Sequence, residues 1–458
     1  MFHFLKLRSL FEDRLFYKSL FTISVPIMLQ SLINASMNFL DTMMVGRLGI
    51  TEIAGVGLVN QFFYLYTLVL FGIVSGASVF TAQFWGKRDI QGIRRNTGFC
   101  LILTICTGSI FTLAAFLLPE QIVGVYSRDP AVIAVGGLYL KTLAPAFLPY
   151  AVGYVFILTL RSVEKVRLAL ISTLIAVSLN AILNYLLIFG IGPFPVLGVA
   201  GAARATAIAR TVEALILVTV SYVRRYPPAG SLRELLGFRL PYVKRFVRIT
   251  LPVVIEEIIW VTGISAHSLI LARTHTDAIA AYNITSTVFQ LTWVVFTGLG
   301  NGVGVLIGKK IGEGNETLAR EYASRIIRFS PLLSVAVMVL LYSISLPIPL
   351  IFNVNDSVLS MVRHMLIILS CIYPFRAFNM AAIVGICRPG GDTVFCFIVD
   401  VVFMWTVALP AAALASFVFH SPVWLIYIFL ASDEPLKALL GFWRYRSGKW
   451  LRNVTRGI

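Results

Sequence analysis

Asp41 stands alone in an apolar run. From Ser19 to Leu40 no side chain ionises, and none does again until Arg47. Glu213, Glu256, Glu257, Asp400 and His267 stand in comparable apolar surroundings, and Asp392 lies at the end of one such run. A carboxylate at the centre of an apolar helix in lipid costs about 2.5–3.5 kcal/mol. It offsets that cost by taking a proton, a hard cation, a positively charged cargo or a basic partner.

Spacing groups these residues. Eleven helical residues turn through about 1100°, leaving about 20° of net rotation. Gln30 and Asp41 therefore share one stripe, as do Glu256 and His267, with Trp260 on the same face as Glu256. Glu256 and Glu257 diverge by about 100°, so one faces inward and the other reaches toward the interface. Asn180 and Asn184 in "SLNAILNYLLIFG" are one turn apart, and Thr206 in "RATAIAR" adds a hydroxyl. Carboxylate, amide and hydroxyl oxygens suit a hard cation such as Na⁺; asparagine pairs also join helices. His267 reads either as a proton relay or as a hydrogen-bonded core residue. Asp400 in "FIVDVVFMW" has no evident local partner. Asp392 in "GICRPGGDT" reads as the cap of the next helix, or as the partner of Arg388 across the turn.

The elements that carry these groups must span a membrane. Of the 458 residues, 58% are hydrophobic and 13% charged, against about 25% charged in a soluble domain. Apolar runs recur at 19–45, 53–84, 97–119, 131–160, 168–190, 196–222, 249–272, 278–307, 327–352, 358–386, 393–418 and 422–442, and about 20 residues suffice for one crossing. The net charge of +17 is spread in short clusters between the runs rather than gathered into a nucleic-acid footprint. Most basic residues fall on one side: near the N-terminus, in 87–95, 161–167, 224–248, 309–328 and 437–456. The opposite loops hold Arg47, Arg128, Arg273 and Arg363. That bias puts both termini in the cytoplasm, with residues 1–18 as a cytosolic stub rather than a cleaved signal. Cys100, Cys106, Cys371, Cys387 and Cys396 read as core hydrophobes.

The polar stretch "VRRYPPAGSLRELLGFRLPYVKRFVR" links two halves, 1–228 and 229–458, with 229–248 as a cytoplasmic linker and 231–248 as a basic amphipathic surface helix. Shifting the second half by 226 puts Pro252 on Pro26, Arg273 on Arg47, and Gly298, Gly302 and Gly312 on Gly72, Gly76 and Gly86, an internal repeat. With six spans per half the repeats are parallel, as in transporters built from two bundles around a central site. The expected fold is all-α and integral to the membrane, with about twelve helices in two pseudo-symmetric six-helix bundles.

"LDTMMVGRLG", "GIVSGASVFTAQFWGKRD", "HTDAIAAYNI", "GNGVGVLIGKKIGEGN" and "GICRPGGDT", in that order, resemble the MATE (multidrug and toxic compound extrusion) transporters over essentially the whole chain. The resemblance implies twelve helices in two bundles around a V-shaped cleft, and export of organic cations in exchange for H⁺ or Na⁺. It matches the family's first-helix aspartate to Asp41, its seventh-helix glutamate to Glu256 or Glu257, and its fifth-helix asparagine to Asn180. Asn184 stands where some members have an acid. Tyr373 is kept, but Ala377 takes the place of an aspartate four residues on, beside Arg376. The resemblance thus implies a Na⁺ site at Asp41 and Asn180 and leaves the coupling ion open.

The resulting expectation is an antiporter of the inner or plasma membrane, acting by alternating access and not an enzyme. It has no cofactor beyond H⁺ or Na⁺, acts as a monomer, binds cationic or amphiphilic small molecules, and contacts membrane lipids but no nucleic acid. A lipid or lipid-linked-sugar flippase is the alternative; it needs a basic cavity, whereas the acids here outnumber other charges noted within the spans. An intramembrane enzyme is more remote, since the histidines form no catalytic pattern.

Overall fold

A helix satisfies its own backbone hydrogen bonds, which lipid demands of any open-chain span. In the computed structural model, which describes residues 13–345 and 354–458, the apolar runs are helices and no strand occurs among the described residues. Most of the expected cytosolic stub, and the end of the ninth run, lie outside those residues. Among the described residues eleven helices are long and apolar enough to cross a membrane. They are α1 (Arg14–Gly46), α2 (Ile50–Lys87), α3 (Ile90–Leu117), α4 (Pro130–Ser162), α5 (Val166–Phe189) and α6 (Val199–Val223). After the linker come α7 (Leu240–Thr274), α8 (Thr276–Gly312), α9 (Glu316–Ser345), α10 (Asp356–Cys387) and α11 (Thr393–Phe417).

The twelfth apolar run is divided into α12 (Val423–Leu430) and α13 (Asp433–Ser447). Pro435 has no N–H for the Ala431 carbonyl and sits in the first turn of α13, where that donor is not needed; Pro26, Pro252, Pro331 and Pro374, by contrast, lie inside continuous helices. The amphipathic helix expected over 231–248 is also not a single element. Leu232–Leu235 forms one turn, closed by a Ser231/Glu234 capping box, and from Leu240 the chain is already in α7. Of the five cysteines expected in the core, Cys106 and Cys371 are exposed.

Two compact units result. One comprises Leu29–Thr250; the other holds Leu251–Gly457 with the described residues of Met1–Met28. The cuts fall inside α1 and α7 rather than at 228/229. In the first unit Tyr66, Phe147 and Phe111 form an aromatic centre, and the Tyr66 hydroxyl donates to the Phe147 carbonyl at 2.5 Å. In the second, Tyr373 packs against Phe289, Trp293 and Phe296. The C-terminal residues fold back on this unit: Trp450 is fully buried, and the Arg452 N–H donates to the Gly390 carbonyl at 2.9 Å.

The repeat explains one pair of close approaches. A Cβ on Gly76 of α2 would lie 2.7 Å from the Thr250 side chain of α7. On Gly302 of α8 it would meet the Ser24 hydroxyl of α1 and stand 3.2 Å from Ser24 Cβ. Gly302 is Gly76 plus 226, and Thr250 is Ser24 plus 226. The glycines in register thus mark the same helix contact made once in each unit.

Asp13 caps α1 by accepting from the Phe16 N–H at 3.0 Å and pairs with Arg325. The amide first, and Arg325 with it, hold this carboxyl below its usual range against the cost of burial. Its contribution to stability is therefore complete above the ordinary value of about 3.9 and is lost as pH falls through the lowered one. The protection of amides at the start of α1, measured relative to their intrinsic exchange rates, should fall from pH 6 to pH 3 more in wild type than in Asp13→Asn. Gly76→Val and Gly302→Val should each lower the unfolding temperature in detergent, whereas Gly57→Val, with nothing within 4 Å of its Cβ position, should leave it unchanged.

Candidate functional site

In the unit Leu29–Thr250 three helical stripes converge. Gln30, Met37 and Asp41 lie along α1, Thr173, Asn180 and Asn184 along α5, and Thr206, Arg210 and Glu213 along α6; each set recurs every three or four residues or a multiple of that. Asp41, half-buried, accepts from the Asn184 amide. That amide also donates to Asn180 Oδ1 at 3.0 Å, and Asn180 donates to the Thr206 hydroxyl at 3.2 Å. Asn184 Oδ1 is buried without a hydrogen-bond partner among the described residues. The four expected first-half residues, Asp41, Asn180, Asn184 and Thr206, are therefore joined in one string.

A second string on the same stripes was not expected. Arg210 pairs with Glu213 at 2.9 Å, and its guanidinium lies 5.1 Å from the Tyr150 ring centre. Glu213 accepts from Thr173 at 2.6 Å; Thr173 accepts from Gln30 at 2.6 Å. Gln30 Oε1 in turn accepts two N–H groups of Arg161, at 3.1 and 2.5 Å. Arg161, assigned by the charge pattern to a cytoplasmic cluster, thus ends a buried hydrogen-bonded chain.

The unit containing Leu251–Gly457 repeats this design with stronger charges. Arg388 pairs with Glu256 at 2.6 Å and Glu257 at 3.3 Å. Both glutamates reach one guanidinium, so the expected divergence of the two is corrected. Glu256 Oε2 is buried with no hydrogen-bond partner among the described residues. Asp400, read as lacking a partner, lies 3.5 Å from Lys437, which also pairs with Asp433 at 2.8 Å. Arg376 pairs with Glu434 at 3.1 Å and covers the Phe289 ring. Asp392 is at the N-cap of α11, but its side chain makes no cap bond. It pairs with Arg444 at 2.5 Å and Arg452 at 3.1 Å, which corrects both readings of it.

The remaining candidates separate. Trp260 is 37% exposed. His267 is buried, and its Nε2 has no partner among the described residues. Tyr373 is buried in the aromatic cluster of its unit, and the Ala377 carbonyl beside it accepts from Ser330 at 2.6 Å. No group of three or more His, Cys, Asp or Glu side chains suited to a metal occurs among the described residues.

The two networks are copies. Gln30 plus 226 is Glu256; Arg161, Thr173, Thr206 and Arg210 plus 227 are Arg388, Asp400, Asp433 and Lys437. Arg161–Gln30 and Arg388–Glu256 are equivalent contacts. Following the repeat past Gly86, with the offset shifted by one residue from 226 to 227, is the signal that would have found Arg161, Arg210 and Lys437. The impression that the spans hold mostly acids is also corrected, since Glu213, Glu256, Glu257, Asp400, Asp433 and Glu434 each face an Arg or Lys; Asp41, on an asparagine, is the exception in this set. Removing one member of such a pair strands its partner at a cost of about 3–5 kcal/mol. Arg210→Met should destabilise the detergent-solubilised protein to chemical unfolding by about that amount, and adding Glu213→Met should recover most of the loss.

Comparison with known proteins follows the same two-part plan. The MatE family model matches residues 26–186 and again 252–414. The "Probable multidrug resistance protein NorM" of Thermotoga maritima is 27% identical over 444 residues, 96% of this chain and 94% of its own. A mutant of the Vibrio cholerae MATE transporter VcmN shares the fold with a TM-score of 0.86 at 17% identity, covering 96% of this chain and 98% of that one. A MOP superfamily transporter from Pyrococcus furiosus, described as having a binding pocket of reverse polarity, matches with a TM-score of 0.84 at 18% identity, over 94% and 95% of the two chains. Its helices, its internal repeat and these matches together place the chain in the MatE family of multi-pass membrane transporters.

Proposed function

We propose that this transporter is a secondary antiporter of the inner or plasma membrane, with both termini cytoplasmic, exporting organic cations in exchange for H⁺ or Na⁺ by alternating access. The observation that carries the reading is Asp41. Of the two acids in the converging stripes of α1, α5 and α6, Glu213 is paired with Arg210 while Asp41 has no Arg or Lys partner among the described ion pairs, and Asp41 is bonded instead to an asparagine, Asn184, whose Oδ1 is unused. Asp41, Asn180, Asn184 and Thr206 offer one carboxylate and three neutral oxygens, a donor set for Na⁺. A proton on Asp41 neutralises the same site. A positively charged cargo competes for the carboxylate, and ion and cargo take turns.

Glu256 and Glu257 supply the corresponding site of the other unit. Two carboxylates on one arginine leave one negative charge in excess, and Trp260 offers a ring face worth about 0.5–2 kcal/mol to a cation. Each inward charge gains about 2.3 kcal/mol per 100 mV, and a tenfold gradient costs about 1.4 kcal/mol. One ion therefore drives more than tenfold accumulation of a neutral cargo. A monovalent cargo exchanged one for one is moved by the ion's chemical gradient alone.

A second reading, a lipid or lipid-linked-sugar flippase, is favoured by Arg161, whose guanidinium is bonded to the Gln30 amide and to no carboxylate among the described ion pairs. Proteoliposomes with imposed pH or Na⁺ gradients separate the two. Gradient-driven dye efflux should occur in wild type and fall by about ten- to a hundredfold in Asp41→Asn, the loss expected for one charge-assisted contact of about 1.5–3 kcal/mol. Equal efflux by the variant removes Asp41 from the mechanism. Translocation of a fluorescent lipid without dye efflux selects the flippase.

A further inference from the structure

Three of the five histidines meet at a place the transport mechanism does not use. Where α7 and α11 end and α10 begins, the unit containing Leu251–Gly457 has a cavity of about 640 Å³. Arg273 and His275 reach it from the end of α7, His364 from α10, and His420 from the connection into α12. Its wall also carries the hydroxyls of Thr274 and Ser416, bonded to each other at 2.6 Å, and those of Ser360 and Ser421. None of the lining residues is Asp or Glu. The acids nearest in sequence, Asp277 and Asp356, are outside it, and no described carboxylate pairs with Arg273. The His364 ring is fixed by Nδ1, 2.7 Å from the Ser360 carbonyl. His420 is held in the left-handed region, φ 45°, a conformation in which His is over-represented among non-glycine residues.

The groupings elsewhere in this unit set Arg or Lys against carboxylates. Here a guanidinium fork, three imidazoles and four hydroxyls face open space with no acid among them. Such a set recognises oxyanions: the guanidinium presents paired N–H donors, and an anion favours the imidazolium forms, in which both ring nitrogens donate. Phe417 and Trp424 add apolar surface for whatever the anion is attached to, and the volume falls in the range of small-ligand sites. A transition metal is the weaker match, because the three rings do not form a metal-competent group.

We propose that this cavity is an oxyanion-binding site that takes a phosphate group, carried by a lipid headgroup or free in solution. It lies at the end of the unit opposite the Arg388 turn, on the side that the charge bias assigns to the exterior.

The test uses the full-length protein in nanodiscs with no ion gradient, so its result is independent of whether antiport is correct. Discs of phosphatidylcholine with phosphatidylglycerol are read by native mass spectrometry for retained anionic lipid. Discs of phosphatidylcholine alone are titrated with inorganic phosphate and read by thermal shift. Arg273→Gln and the double variant Arg273→Gln/His420→Gln are compared with Arg128→Gln, an outer basic residue away from the cavity. Wild type and Arg128→Gln should show saturable binding in at least one arm, reduced at least about fivefold in the single variant and further in the double. Retention of phosphatidylglycerol alone identifies the lipid as the source, and a phosphate shift alone identifies the free ion. No binding in either arm, or binding that the folded, monodisperse variants leave unchanged, overturns the proposal.

Discussion

A guanidinium or carboxylate placed at membrane depth must be paired, because neither water nor lipid there will solvate it. That constraint shapes the interior of both units. Arg210 is on Glu213, Arg388 is on Glu256 and Glu257, Arg376 is on Glu434, and Lys437 bridges Asp400 and Asp433. Breaking such a pair costs more than the pair itself contributes, since the desolvation of the orphan is then uncompensated. The networks therefore tie helices together: α1, α4, α5 and α6 through Gln30, Arg161, Thr173 and Glu213, and in the other unit α7 to the end of α10 through Glu256 and Arg388, and α11 to α13 through Asp400 and Lys437.

Against that paired background the unpaired groups stand out. Asp41 has only an asparagine amide, Glu256 keeps one oxygen unused, and His267 keeps one nitrogen unused. A repeat that supplies the same helix contacts twice need not carry the same chemistry twice. Asp41 in one copy becomes His267 in the other, and Thr173 becomes Asp400. The first copy is neutral apart from its Arg161, Asp41 and Arg210–Glu213 groups, while the second is dense with charge. The two networks thus differ in charge, even though their helices meet in the same way.

The glycine contacts show the same economy at the level of backbone. Gly76 against Thr250 and Gly302 against Ser24 let α2 and α7, and α8 and α1, approach closely enough to exclude any Cβ. In lipid, where no hydrophobic force distinguishes a helix face from acyl chains, close van der Waals contact between small residues is a main source of helix association.

Much of this was legible in the sequence. The spans followed from uninterrupted apolar length, the repeat from glycines and prolines at one offset, and Asp41 from its isolation, because each of these is a property of a short stretch of chain. The division of the twelfth run falls beside Pro435, yet Pro26, Pro252, Pro331 and Pro374 lie inside continuous helices, so a proline alone did not place the break. What tertiary structure alone decided was partnership. Arg161 and Gln30 are separated by 131 residues in the chain, Arg388 and Glu256 by 132, and Lys437 and Asp400 by 37. Charge patterning read Arg161 and Lys437 as cytoplasmic topology signals and left Asp400 without a partner. A hydrogen bond forms wherever two groups are brought within about 3 Å, and no local periodicity encodes that distance between helices far apart in sequence.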